Sequence, residues 1–181
     1  MTLVFLLEER SMKEFLDILL PKILPENVGF RTIPHEGKSD LEKSIKTKLK
    51  AWTDPEAVFV VVHDQDSGDC IEIKRHLSEL CSGYGKRFLI RIPCRELEAW
   101  YWGDLEAVSA AYGVDLTPLK RRKAYRDPDK IINPKNELKK HLPQITQIDG
   151  ARKIASHMRI QENTSHSFGV FVQGIQTLCQ G

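Results

Sequence analysis

Apolar positions along the chain fall into short continuous runs, separated by stretches that repeat at helical spacing. Leu3–Leu7 and Ala57–Val62 (AVFVVV) are unbroken apolar runs of strand length, as expected for strands covered on both faces. Val28–Ile33 and Arg87–Ile92 read as two further strands. Between them, Ser11-Met-Lys-Glu14 has the form of a capping box opening a helix. Phe15, Ile18, Leu19 and Ile23 give that helix its apolar face, with Pro21 predicting a kink and Pro25 an end. Lys38–Trp52 reads as a second helix on Leu41, Ile45 and Leu49, and Asp69–Cys81 as a third. The alternation βαβαβαβ predicts an α/β, Rossmann-like fold: a parallel sheet of about four strands flanked by helices, with right-handed crossovers.

After Pro93 the pattern changes. Glu96–Tyr112 looks helical, and no convincing strand follows. Residues 113–150 are rich in Pro, Lys, Asn and Asp and read as loops and short helices. Ile154–Met158 reads as a closing helix, and Val170–Leu178 fits either a helix or a strand. The expected organisation is an α/β core over 1–112 and a basic loop and mostly helical C-terminal extension over 113–181, packed on the core as one structural domain. A chain of 181 residues that is 41% hydrophobic can bury such a core.

Charge sharpens this picture. Leu119–His141 holds nine Lys or Arg against three acids, a local +6, so the rest of a chain whose net charge is +2 carries −4. An acidic body with a basic appendage suits a protein that places a metal beside a polyanion. The start, MTLVFLLEER, lacks the basic residues and long apolar stretch of a signal peptide. No segment is long enough to span a bilayer. Cys70, Cys81, Cys94 and Cys179 form no C-x-x-C pair, so they read as reduced thiols. The expectation is a cytoplasmic protein with no membrane partner.

Open parallel sheets bind ligands beyond the carboxyl ends of their strands. The first strand ends in Glu8-Glu9, the third in His63-Asp64-Gln65-Asp66, and the fourth leads into Arg95-Glu96-Leu97-Glu98. Three strand ends thus deliver carboxylates to one edge. Asp64 and Asp66 share a side if the strand geometry continues. Such a set of hard oxygen ligands suits Mg²⁺ or Mn²⁺. Glu8, Asp64 and Asp66 are the first candidate ligands, with Glu96 and Glu98 near the site. Glu8 or Glu9 could serve as base, and Arg95 could offset charge on a phosphate. Helix capping is the competing role for these acids, and for Ser67 or Asp69 it is the better one.

Strand–Glu8 and strand–Asp64-x-Asp66 in a compact βαβ unit resemble a Toprim domain, the catalytic module of topoisomerases, primases and overcoming-lysogenization-defect nucleases. The resemblance implies acid–base catalysis by Glu8 and divalent metal at the Asp64-x-Asp66 acids. Glu9 stands where that motif usually has Gly. The wider pattern LEERSMKEFL, HEGKSDLEK, HDQDSGDC, RIPCRELEAWYWGD, NPKNEL, GARKI and NTSHSF is similar to the bacterial family called domain of unknown function 4276. Some of its members accompany ATPases in phage-defence settings, which implies an ATPase as partner.

Smaller signals complete the reading. Gly37-Lys38-Ser39 imitates the end of a P-loop, but Thr32 stands where the first Gly is needed. Lys120, Arg121, Arg122 and Lys123 either track a nucleic-acid backbone or form a solvated basic loop. Trp100, Tyr101 and Trp102 divide between core packing and, if one is exposed, base stacking. Asn163–Ser167 is a polar cluster that either lines the site or caps a helix, with His166 an acid only in the first case. The leading expectation is Mg²⁺-dependent cleavage of nucleic acid, DNA or RNA. The alternative is a non-catalytic metal-binding or interaction module regulating a partner ATPase.

Overall fold

The computed structural model describes residues 1–180. Four strands form one all-parallel sheet: β1 (Thr2–Leu7), β2 (Gly29–Pro34), β3 (Ala57–Val62) and β4 (Arg87–Arg91), in the spatial order β2-β1-β3-β4. The two unbroken apolar runs became the two central strands. Every residue of β3 is buried, as are Leu3–Leu7 of β1, while edge strands β2 and β4 are largely part-exposed.

Helix α1 (Arg10–Leu19) covers one face of the sheet; α2 (Lys38–Ala51) and α3 (Cys70–Cys81) cover the other. On the α2/α3 face, Val4, Leu6, Phe59, Val61 and Ile90 pack with Leu41, Ile45, Leu49 and Leu77. On the α1 face, Leu3, Phe5, Leu7, Val58, Val60 and Val62 meet Met12, Phe15, Leu16 and Leu19. The alternation along each central strand sends successive side chains to opposite faces, which is why both cores are built from the same strands.

The chain after Pro93 is helical, and it joins the α1-side core. Its helices are α4 (Glu98–Trp102), α5 (Leu105–Tyr112), α6 (Pro134–His141), α7 (Gln147–His157) and α8 (His166–Gln180). Val170–Leu178 is therefore helix, with Phe168, Phe171, Val172 and Ile175 buried. The single helix expected over 96–112 is two. Gly103 and Asp104 break it, and the Asp104 carboxylate caps α5 by accepting from Ala107 N at 3.2 Å.

Two local readings are corrected. The Ser11–Glu14 capping box does not form: α1 starts at Arg10, and Glu14 instead pairs with Arg10 and with Arg152 of α7 at 2.7 Å. The Ser11 hydroxyl bonds to the Glu9 carboxylate. Pro21 does not kink a continuing α-helix; it sits in a 3₁₀ turn, Leu20–Lys22, that closes α1.

Trp100, Tyr101 and Trp102 are all buried, so none is free to stack on a base. Trp100 packs on Phe15, Phe168 and Phe171 with ring centroids 6.0, 5.4 and 4.9 Å away, and its indole N–H donates to Ser167 Oγ at 3.0 Å. Trp102 stacks on Tyr125 at 4.5 Å and donates to the Pro134 carbonyl at 2.9 Å. The Asn163–Ser167 cluster is a latch. Ser165 Oγ accepts from Phe168 N at 3.2 Å, Asp129 accepts from Ser165 Oγ at 2.6 Å and Ser167 N at 2.8 Å, and His166 is exposed.

Candidate functional site

The strand order places a topological switch between β1 and β3: the chain leaves β1 toward β2, then returns to the other side of β1. The crevice beyond the carboxyl ends of such a strand pair is where open α/β sheets bind ligands. Register pairs Leu7 with Val62, so the residues that follow, Glu8 and His63-Asp64, stand together at that crevice. Glu8 N donates to the Val62 carbonyl at 3.3 Å, which continues the ladder one step. Gly37 N donates to the Glu8 carbonyl at 2.9 Å, which draws the β2–α2 turn over the same point. Gly37 has φ of +104°, a conformation that glycine adopts without the steric cost other residues bear.

The Glu8 carboxylate accepts a hydrogen bond from Asp64 N at 2.9 Å. Burial pushes its carboxyl up from 4.5 to about 7, against the lowering effect of that bond and of nearby Lys38. Asp64 is 7% exposed, and its Oδ1 is buried with no hydrogen-bond partner. Desolvation, and then the charge of Glu8, drive its carboxyl well above the usual range. His63 bonds the Asp64 carbonyl through Nδ1 at 2.7 Å, with the same nitrogen 3.7 Å from Glu8 Oε2; burial holds the imidazole below its ordinary range. Glu9, at the N-cap of α1, reaches Ser11 and Gln147 Nε2, the latter at 3.4 Å.

The loops after β3 and β4 are bonded to each other. Gln65 N donates to the Pro93 carbonyl at 3.1 Å, Asp66 N to the Arg95 carbonyl at 2.6 Å, and Arg95 N to Gln65 Oε1 at 3.0 Å. Asp66 and Arg95 both have left-handed backbones, with φ of +51° and +62°. Non-glycine residues hold this conformation where surrounding bonds impose it, typically at functional sites. That turn rotates the Asp66 side chain out of line with Asp64, and its carboxylate pairs with Lys38 at the start of α2. The Arg95 guanidinium donates to the Asp66 carbonyl at 3.3 Å.

Glu96 and Glu98 part company, because α4 begins only at Glu98. Glu96 accepts from Lys135 N at 3.1 Å, bonding the first turn of α6. Glu98 is 6% exposed, and burial lifts its carboxyl from 4.5 to about 7. It belongs to the same electrostatic group as Asp64, which feels the charges of Glu8, Glu98 and Glu9 in that order. Of the basic segment, Arg121, Arg122 and Lys123 are exposed, Arg122 joining two 3₁₀ turns, whereas Lys120 pairs with Glu106.

The structure thus brings Glu8, Asp64, Glu9 and Glu98 into one electrostatic group, and holds Asp66 and Glu96 at its rim on other partners. Among the described residues, no three Asp, Glu, His or Cys side chains stand close enough to hold an ion as they are. Mg²⁺, however, commonly takes one or two carboxylates and completes its shell with water and substrate phosphate. The donor set fits that pattern: oxygens only, with one buried carboxylate oxygen lacking any partner. Lys38 and Gln147 are site residues that the sequence reading passed over. Lys38 looked like a P-loop imitation, and its place beside Asp66 follows only once β2 and β3 are known to flank β1.

Among the described residues no helix is long and apolar enough to cross a membrane. The chain matches no curated protein and no solved structure. The model of the family described as domain of unknown function (DUF4276) matches residues 7–176, which takes in β1, the acidic edge and the helical extension. The chain is a member of the DUF4276 family.

Proposed function

We propose that this protein is a Toprim-like, metal-dependent nuclease working in the cytoplasm. The observation that carries the reading is the pair Glu8 and Asp64. Two desolvated carboxylates sit side by side at the switch point of a parallel sheet, with Asp64 Oδ1 left without a partner. Uncompensated carboxylates of this kind are costly in the empty site and are offset by a cation. Glu8 and Asp64 would hold Mg²⁺ or Mn²⁺. Bound there, the ion would act as a Lewis acid on a phosphate oxygen and would lower the pKa of a water.

The chain's own groups supply the rest. Glu8, pushed up to about 7 by burial, could exchange a proton with water where Asp64 alone holds the ion, since a carboxylate bound to a cation is no longer that basic. Glu9 is the second candidate base. Lys38 and Arg95 lie at the rim, where they can meet the phosphate; a phosphate taking Lys38 from Asp66 would free that carboxylate to join the ion. Arg121, Arg122 and Lys123 offer the polyanion a track. Incubating the purified chain with single- and double-stranded DNA and RNA in Mg²⁺, Mn²⁺ or EDTA tests this. Metal-dependent cleavage that stops in Asp64→Asn is expected; absence of any metal-dependent cleavage, alone or with an ATPase partner, overturns it.

A second reading is a non-catalytic metal-binding module that regulates a partner ATPase. It is favoured by the Lys38–Asp66 pair, which already engages the second acid of the Asp64-x-Asp66 motif. Cation binding without turnover would select it.

A further inference from the structure

Beside the acidic crevice, α4, α6 and the start of α7 enclose a cavity of about 230 Å³. Its walls include Tyr101, Leu138 and Ile145, and Glu98 faces it from α4. Lys135 and Lys139, one helical turn apart on α6, also line it, Lys139 exposed and Lys135 half-buried. The cavity is smaller than the roughly 300–1,000 Å³ that hold drug-sized ligands, which suits one flat ring system.

Three features of this cavity find no use within the fold. The Glu98 carboxyl, almost wholly buried, is met only by its own backbone N–H and by the charge of Lys135, with no side-chain hydrogen bond among the described residues. The Tyr101 hydroxyl in the cavity wall is also buried without a partner. Neither Lys135 nor Lys139 belongs to an ion pair among the described residues. A buried carboxylate, apolar walls and two lysines along the lining describe a receptor for a ligand with paired donors at one end and an anion at the other.

We propose that this cavity binds a single guanine base of a nucleotide, with Glu98 accepting from its N1–H and N2–H₂ and Lys135 and Lys139 meeting its phosphate. Guanine alone among the four common bases presents two adjacent donors that match both oxygens of one carboxylate. Adenine and cytosine set one donor beside an acceptor, and uracil flanks one donor with two carbonyls. Reading an unstacked base on its Watson–Crick edge is how proteins select single-stranded nucleic acid. The class of ligand rests on the nuclease reading. The pocket would then choose the nucleotide beside which Glu8 and Asp64 act.

Isothermal titration with GMP, AMP, CMP and UMP in EDTA tests the pocket without metal or turnover. GMP is expected to bind at least ten-fold tighter than the other three. Glu98→Gln should erase that preference, because a carboxamide oxygen and amine cannot both accept; Lys135→Ala with Lys139→Ala should weaken all four and flatten their salt dependence. Glu98→Gln keeps size and shape and removes a buried charge, so its fold is retained, and circular dichroism checks this. Equal affinity for all four nucleotides, or no saturation by GMP at millimolar concentration, overturns the proposal. Metal-dependent cleavage without GMP binding would leave the nuclease reading standing and remove the pocket. GMP binding without cleavage would do the reverse.

Discussion

Glu98→Gln should stabilise the protein at alkaline pH and leave it unchanged in acid. The Glu98 carboxyl is raised from 4.5 to about 7 because burial disfavours its charge more than its own backbone N–H and then Lys135 repay. Between these values the folded chain keeps a proton that the unfolded chain releases, so stability falls as pH rises through the window. Below about 4.5 both states are protonated and nothing is lost. Above about 7 both are ionised, and the fold bears the full cost, about 3 kcal/mol at 1.36 kcal/mol per pH unit. The neutral carboxamide escapes this. For a chain of this size, roughly 2–4 °C per kcal/mol converts the gain to about 6–12 °C in Tm. Thermal melts of both proteins from pH 4 to 9, in EDTA to remove cations, give the curve. The two Tm values should coincide near pH 4.5 and separate progressively to pH 8. A constant offset across the range, or no gain at pH 8, would show that Glu98 is solvated or paired in solution and would refute the reasoning.

Mg²⁺ or Mn²⁺ should raise the Tm of the wild-type chain by mass action, about 2.7 kcal/mol at one hundred times Kd; Asp64→Asn should abolish that response, and an unchanged response would place the ion elsewhere. Asp104→Ala should cost about 3 kcal/mol in urea unfolding, since this buried carboxylate both caps α5, worth about 1 kcal/mol, and receives Arg159 N and its guanidinium, a charged bond worth about 1.5–3 kcal/mol. Replacing Arg121, Arg122 and Lys123 by Ala should flatten the salt dependence of nucleic-acid binding by roughly one unit per lost phosphate contact. Lys120→Ala should matter less, because Lys120 already pairs with Glu106.

The parallel sheet was legible because its central strands are continuous apolar runs, and α/β alternation leaves few ways to connect them. The convergence of Glu8 with Asp64 was legible for the same reason: both follow a predicted strand directly. Asp66 was not. Four positions beyond the strand, a left-handed backbone turns it toward Lys38, and nothing in His63-Asp64-Gln65-Asp66 signals that turn. Helix capping was the expected role of Ser67 or Asp69, and Asp69 takes it, accepting from Ile71 N and Glu72 N at the start of α3. The region 113–150 resisted reading because its short helices are held by tertiary partners: Tyr125 on Trp102, Glu96 on α6, Asp129 on α8. Period and propensity carry none of those contacts. The Asp104–Arg159 pair spans 55 residues and was invisible for the same reason.

The packing of Trp100 also has a consequence for synthesis. This side chain lies two residues beyond Glu98, and its ring is packed by Phe168 and Phe171 of α8 as well as by Phe15. A nascent chain that has emerged only as far as α7 has all four strands and both central carboxylates, but Trp100 has one aromatic face uncovered and Ser167 is missing from its N–H. Glu98 shares the short helix α4 with Trp100, so that helix gains its last aromatic contacts when α8 docks. Seating of α4 is thereby tied to synthesis of α8, and a ribosome-bound fragment that stops before α8 lacks these contacts.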